Sequence, residues 1–240
     1  MTKHIPNFVT LLNLFCGSVA VLFAVNGNMI ATALFVFLGV FFDFFDGLLA
    51  RKLNVQSELG LQLDSLADMV TSGLVPGIVM FQLFNLTGPD WLEFGSGGIL
   101  GLELNSLLPF FGLLITLASA YRLAVFNIAT NQSDSFIGLP TPANTLLILS
   151  LPLIMEFQNS DTMNVIILNK WFLIGFTLVS CYLLNAKIKL LALKFKNWGF
   201  KDNAARYILL IMAVVLLVIF QFAAIPLIII LYIFISLLNK

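Results

Sequence analysis

The sequence predicts an all-α, polytopic membrane helix bundle of about eight transmembrane helices, and three observations predict it. The 240 residues are 60% hydrophobic and only 10% charged, with a mean hydropathy of +1.03, whereas a soluble domain has about a quarter of its residues charged. Eight apolar stretches are long enough, or nearly so, to cross ~30 Å of hydrocarbon: about 7 to 26, 29 to 52, 59 to 85, 107 to 129, 141 to 157, 164 to 185, 204 to 221 and 223 to 238. The basic residues segregate. With the N-terminus in the cytoplasm, Lys3, Arg51, Lys52, Arg122, Lys187, Lys189, Lys194, Lys196, Lys201, Arg206 and Lys240 fall in or near cytoplasmic segments, and only Lys170 falls on the other side. By the positive-inside rule both termini are then cytoplasmic. Asp90, Glu93, Glu103, Glu156 and Asp161 collect in the opposite loops. A single integral membrane domain over residues 1–240 is expected, with no removable leader and no nucleic-acid partner.

The first span opens Pro6-Asn7-Phe-Val-Thr10-Leu-Leu-Asn13, which puts Asn7, Thr10 and Asn13 on one stripe at its cytoplasmic end. Two readings stay open: capping of free N–H groups around Pro6, or a polar face turned toward the acids of the next two spans. Span two carries Asp43 and Asp46, three apart, and span three carries Asp64 and Asp68, four apart. Each pair projects from one helix face, one turn above the other. Four uncompensated aspartates at roughly 2.5 to 3.5 kcal/mol each would cost about 10 kcal/mol or more in a bilayer. Two such faces opposed make a four-carboxylate cage, whose oxygens suit a hard divalent cation such as Mg²⁺. Two metals in one cage can clamp the attacking and leaving oxygens of an in-line phosphoryl displacement. Gly47 and Gly60 remove side chains beside the acids and leave room for a ligand. Arg51 adds a planar fork for phosphate. Ser57 is either the N-cap of span three or a ligand contact.

The Gly-rich, acidic segment from Thr87 to Ser106 is expected to be an external loop without chemistry. Span four ends in Ala120-Tyr121-Arg122-Leu-Ala-Val-Phe-Asn127. Arg122 lies deep enough to need a partner, and either snorkels to the interface or turns with Asn127 toward the cage as an anion or headgroup ligand. Pro140 and Pro142 force an extended approach to span five. Lys187, Lys189, Lys194, Lys196 and Lys201, interleaved with Phe195, Trp198 and Phe200, form a basic loop that sits on anionic headgroups or draws in an anionic lipid substrate. The last two spans meet near Gln221 and Pro226 as a tight hairpin or as one broken helix. Cys16 and Cys181 sit in apolar runs and indicate no disulfide; His4 is given no chemistry.

The pattern D-x-x-D-G-x-x-A-R, eight residues, G-x-x-x-D-x-x-x-D, running from Asp43 to Asp68 with Ala50 among its fixed positions, resembles the signature of the CDP-alcohol phosphatidyltransferases at all eight fixed positions. The opening P-N-x-x-T resembles that family's first helix. R-L-A-x-F-N followed by G-L-P-T-P-A is similar to its phosphatidylserine synthase branch, with Val125 where that branch often has an arginine. The resemblance implies transfer of the phosphatidyl group from CDP-diacylglycerol to the hydroxyl of L-serine, giving phosphatidylserine and CMP. It implies Mg²⁺ or Mn²⁺, as two ions held by Asp43, Asp46, Asp64 and Asp68, with Asp68 also the general base. Asn7, Thr10, Gly47, Ala50, Arg51, Ser57 and Gly60 would bind the nucleotide, and Arg122 and Asn127 the acceptor. It also implies a homodimer among membrane lipids, in a bacterial-type inner or plasma membrane, with the active site facing the cytoplasm. The rivals are another acceptor, such as glycerol 3-phosphate, and a cation channel or transporter lined by the aspartates. Spans two and three carry no acid in their outer halves to continue an ion path.

Overall fold

Residues 4–87, 107–128, 135–191 and 199–238 are described by a computed structural model of the chain. Helix α1 (Ile5–Val25) starts on Pro6, whose missing N–H is free of cost in a first turn. It ends at Asn26 and Gly27, and Gly27 takes φ +75° to turn the chain. Asn28 then caps α2 (Met29–Lys52), its side chain accepting from the Ala31 amide at 3.0 Å. Ser57 does the same for α3 (Glu58–Asp68), accepting from the Gly60 amide at 3.0 Å. Helix α1 packs along α2 and also against α3, so its polar stripe reaches both acid-bearing helices.

The third span is interrupted just beyond its acids. Met69–Leu74 form a π-helical turn between α3 and α4 (Val75–Asn85). Pro76 has no N–H to return to the carbonyl four residues back, that of Ser72. The Ser72 carbonyl instead accepts from Thr145 Oγ1 at 2.9 Å, and the next carbonyl, of Gly73, from Thr116 Oγ1 at 3.1 Å. In a bilayer a freed backbone group needs such a partner.

A 3-10 turn (Leu108–Leu113) leads into α5 (Leu114–Ile128). Two three-residue strands, β1 (Ser135–Ile137) and β2 (Lys189–Leu191), pair antiparallel with Phe136 opposite Leu190. Pro140 is extended, at φ −55° and ψ 141°, and Pro142 lies in the first turn of α6 (Thr141–Phe157). Helices α7 (Asp161–Ile167) and α8 (Lys170–Asn185) meet at 62°, where the Asn169 side chain accepts from the amides of Trp171 and Phe172. Helix α9 (Phe200–Phe220) passes through a 3-10 turn at Gln221, with φ 48°, into α10 (Ala224–Leu238), which packs against α9, α6 and β2.

The core fills with Ala20, Val36, Val79, Met80, Ile115, Ile148 and Leu173, contributed by α1, α2, α4, α5, α6 and α8. Outward faces are apolar as well: Phe15, Leu22, Leu117, Val179 and Val218 are all exposed, as a bundle surrounded by lipid requires. Helices α9 and α10 also close one side of an apolar cavity of about 800 Å³, with Phe37 of α2 and Leu146 of α6 in its wall. This is a multi-pass integral membrane protein.

Among the described residues, five helical stretches are long and apolar enough to cross a membrane: Ile5–Val25, Met29–Lys52, Glu58–Asn85, Leu108–Ile128 and Asn203–Leu238; the bent pair α7 and α8 makes a sixth when taken as one. The eight expected differ for physical reasons. Helix α6 has 17 residues, about 25 Å at 1.5 Å per residue, and α9 and α10 run on through a helical turn. The expected external loop beyond Thr87 and the middle of the basic loop, with Lys194, Lys196, Phe195 and Trp198, lie outside the described residues.

Arg122, on α5, ties the far parts of the chain together. It is only 9% exposed, and its guanidinium donates to the carbonyls of Ile137 (2.9 Å), Gly138 (3.2 Å) and Leu184. Gly138 takes φ +73°, and a Cβ there would collide with Arg122 Nη1 and with the carbonyls of Leu184 and Ala186. Gly138→Ala is therefore expected to lose about 1–3 kcal/mol of stability, read as a lower melting temperature in detergent. Gly175→Ala, at a helical position with nothing near its Cβ, should melt like the wild type.

Candidate active site

The i, i+3 and i, i+4 spacings of the acids are realised on helices: Asp43 and Asp46 lie on α2, and Asp64 and Asp68 on α3. One carboxylate oxygen from each of Asp43, Asp64 and Asp68 lies within 4.8 Å of the other two. Asp64 Oδ1 is buried and has no hydrogen-bond partner. An oxygen in that position has given up its hydration for nothing in return. Three ionised carboxylates so close repel one another, and a cation among them removes both penalties. An all-oxygen donor set with one oxygen orphaned fits a hard divalent ion such as Mg²⁺.

Asp46 is held apart from that trio. Thr10 Oγ1 donates to Asp46 Oδ2 at 2.5 Å and also lies 3.1 Å from the Pro6 carbonyl. The four-carboxylate cage expected from spacing thus resolves into three converging acids and a fourth fixed by α1. The two halves meet at a cavity of about 470 Å³ whose wall includes both Asp46 and Asp64.

Asn7, Thr10, Gly47, Ala50, Arg51, Ser57 and Gly60, the residues marked in the sequence on the nucleotide side, all line this one cavity. Ser57 caps α3 through its hydroxyl and also lines the cavity. A Cβ on Gly60 would sit 3.2 Å from both Asn7 Oδ1 and Ser57 Oγ, so α1 and the start of α3 approach closely only over a glycine. Arg51 is exposed at the rim and is the one basic residue among the described lining.

The two acceptor-side candidates are placed differently. Asn127 joins Ser65, the neighbour of Asp64: Ser65 Oγ donates to Asn127 Oδ1 at 3.0 Å and accepts from Nδ2 at 2.9 Å. Arg122 is neither at the cavity nor snorkelling. Its donors are engaged by three backbone carbonyls, and the structure does not bring it to the acids.

Sequence reasoning left two contacts unassigned. Asn13, given to the polar stripe, donates from Nδ2 to Asp68 Oδ1 at 3.3 Å, and Thr71 Oγ1 donates to Asn13 Oδ1 at 2.8 Å. The available signal was Pro76, which announces an irregular backbone turn just beyond Asp68.

Fold and site together define a class: integral membrane proteins with an acidic cluster that could hold a hard cation, carried on apolar helices beside a cavity. A family model described as CDP-alcohol phosphatidyltransferase matches residues 3–183, and the chain belongs to that family. A Bacillus subtilis protein named CDP-diacylglycerol–serine O-phosphatidyltransferase is 35% identical over 144 residues, covering 58% of this chain and 70% of the relative. Proteins of the same name from Helicobacter pylori (strain J99) and Methanocaldococcus jannaschii are each 30% identical, over 201 and 176 residues, covering 82% and 73% of this chain and 75% and 71% of theirs.

Removing one converging acid should cost more than the roughly 10–100-fold in metal affinity typical of an outer-shell partner. Mn²⁺ titrated into Asp64→Asn and followed by electron paramagnetic resonance is expected to show that loss. Glu58→Gln, at the cavity rim on the same helix, should bind as the wild type does.

Proposed function

We propose that this chain transfers the phosphatidyl group of CDP-diacylglycerol to the hydroxyl of L-serine, releasing CMP and phosphatidylserine. One observation carries the reading: Asp64 of the converging trio, together with Asp46, lines a single cavity that is also lined by all seven residues of the nucleotide side. The names of the relatives give the acceptor its support.

Asp43, Asp46, Asp64 and Asp68 would hold Mg²⁺ or Mn²⁺, as two ions, which when bound neutralise the pyrophosphate and polarise its phosphoryl oxygens. The chain's own residues do the rest. Arg51 offers its fork to the phosphates at the rim. Asn7, Thr10 and Ser57 present polar groups to the nucleotide, while Gly47, Ala50 and Gly60 keep the wall low enough for it to enter. Asp68 accepts the proton of the serine hydroxyl as the new oxygen–phosphorus bond forms and the bond to CMP breaks. No cysteine or histidine is among the described residues lining the cavity, so a direct displacement needs no covalent intermediate. On the acceptor side, Asn127 stands beside α3 through Ser65, and Arg122 acts through the backbone it ties down.

The same reading makes residues 1–240 one catalytic domain of eight crossings, in which α6, α9 and α10 each cross once. The bias of basic residues supports cytoplasmic termini and a cavity open to the cytoplasm. The protein is proposed to work as a homodimer in a bacterial-type inner or plasma membrane.

Purified protein given CDP-diacylglycerol and Mn²⁺ or Mg²⁺ is expected to release CMP with serine, and not with glycerol 3-phosphate or inositol phosphate. EDTA should abolish the release. CMP production that depends on glycerol 3-phosphate alone would exclude the serine assignment, and cation flux through proteoliposomes without CMP would exclude the enzyme. Asp68→Asn should lower kcat by about 10²–10⁴. A phosphorus-chiral donor should give inversion, and retention would rule out direct displacement.

A further inference from the structure

Directly behind Asp68 lies a buried polar contact that none of the assigned roles uses. Asn13 on α1 is 0% exposed and Thr71 is 1% exposed. Asn13 Nδ2 donates to Asp68 Oδ1 at 3.3 Å, and Thr71 Oγ1 donates to Asn13 Oδ1 at 2.8 Å, with the Asn13 backbone carbonyl at 3.3 Å. An amide's two ends are nearly alike in shape, but only one carries N–H. A hydroxyl donating into Oδ1 holds the amide with its N–H end toward the carboxylate. Reversed, it would set two acceptor oxygens against each other.

The space around Thr71 is shaped for it. A Cβ on Gly17 of α1 or on Gly39 of α2 would run into the Thr71 side chain, and the one on Gly39 would also meet Asn13 Oδ1. Helices α1 and α2 therefore close on the threonine from two sides. Thr71 sits in the π-helical turn that begins immediately after Asp68, so one irregular turn sets the placement of both. Such turns recur at functional sites.

We propose that Asn13 and Thr71 are positioning residues for the metal site: the Thr71 hydroxyl orients the Asn13 amide, and that amide holds the Asp68 carboxylate in the orientation that converges with Asp43 and Asp64. The inference rests on the metal reading of the acid cluster and adds to it the groups that aim one of its ligands. Outer-shell partners of this kind fix a ligand's geometry at the cost of their own freedom.

The test uses full-length protein in detergent, with Mn²⁺ affinity measured by electron paramagnetic resonance without substrates and the melting temperature of the metal-free protein measured alongside. Thr71→Val removes the hydroxyl and keeps the shape, and is expected to weaken Mn²⁺ binding about 10-fold or more. Thr71→Ser restores the hydroxyl and should return affinity to within about twofold of the wild type. Thr145→Val removes another buried hydroxyl, one bonded to the Ser72 carbonyl and not to an acid; it should lower the melting temperature and leave Mn²⁺ affinity unchanged. If T71V does not purify, Thr71→Ala is expected to show the same loss. Wild-type affinity in T71V, a T71S protein as weak as T71V, an equal loss in T145V, or no Mn²⁺ binding by the wild type would each overturn the proposal. If the affinity pattern holds while serine yields no CMP, the reaction assignment falls and the positioning role stands.

Discussion

The mutual repulsion of Asp43, Asp64 and Asp68 is the constraint to which the rest of the bundle answers. At the 4.8 Å limit of their separation, two unit charges at an effective dielectric constant of 20 repel by about 3.5 kcal/mol. Three such pairs approach about 10 kcal/mol, of the same order as the 5–15 kcal/mol that holds a whole domain folded. Packing among apolar side chains is too weak a counterweight to leave the cluster ionised and bare. A doubly charged ion among the oxygens turns each repulsion into a shared attraction, and Asp64 Oδ1, otherwise without a partner, gains one.

Helix α1 has no acid of its own and yet determines how the acids stand. Its second turn supplies Thr10 to Asp46 and, one turn deeper, Asn13 to Asp68, so each acid-bearing helix is gripped by the same polar stripe. The grip depends on close approach, which glycine provides: Gly60 lets α3 meet Asn7, and Gly17 and Gly39 admit Thr71. The cavity opens where α1 and α3 begin and α2 ends, and there the free N–H groups of first turns and a capping serine are already present. Local helix chemistry and the cavity wall thus draw on the same residues, as Ser57 illustrates.

That double use explains what could be read in the sequence. The acid pairs, the stripe, the glycines and Arg51 follow the helical period, and a period fixes which side chains share a face before any packing is known. Arg122 defied the same logic because its partners are backbone carbonyls at a turn between β1 and α6 and at the end of α8. Such acceptors belong to no residue type, so nothing in the letters marks them. The π-helical turn was announced only by Pro76, which names no side-chain partner, so the placement of Thr71 behind Asp68 could not be read from the letters. Span counting met a different limit: apolar runs show which residues tolerate lipid, whereas the 62° bend between α7 and α8 and the short α6 are set by packing and capping.

The engagement of Arg122 bears on which acceptor the site can take. A donor pyrophosphate itself carries two negative groups, and Arg51 is the one base among the described residues lining the cavity. A phosphorylated alcohol would add about two further charges, and Arg122 is committed to three carbonyls whose loss would leave a loop unanchored. Serine is a zwitterion with no net charge at neutral pH, so it asks for no additional cation from the wall. Charge balance at the cavity therefore favours the zwitterion independently of any relative's name, because the acceptor that demands the fewest additional cations suits a wall whose described lining has Arg51 as its one base, with Arg122 engaged away from it.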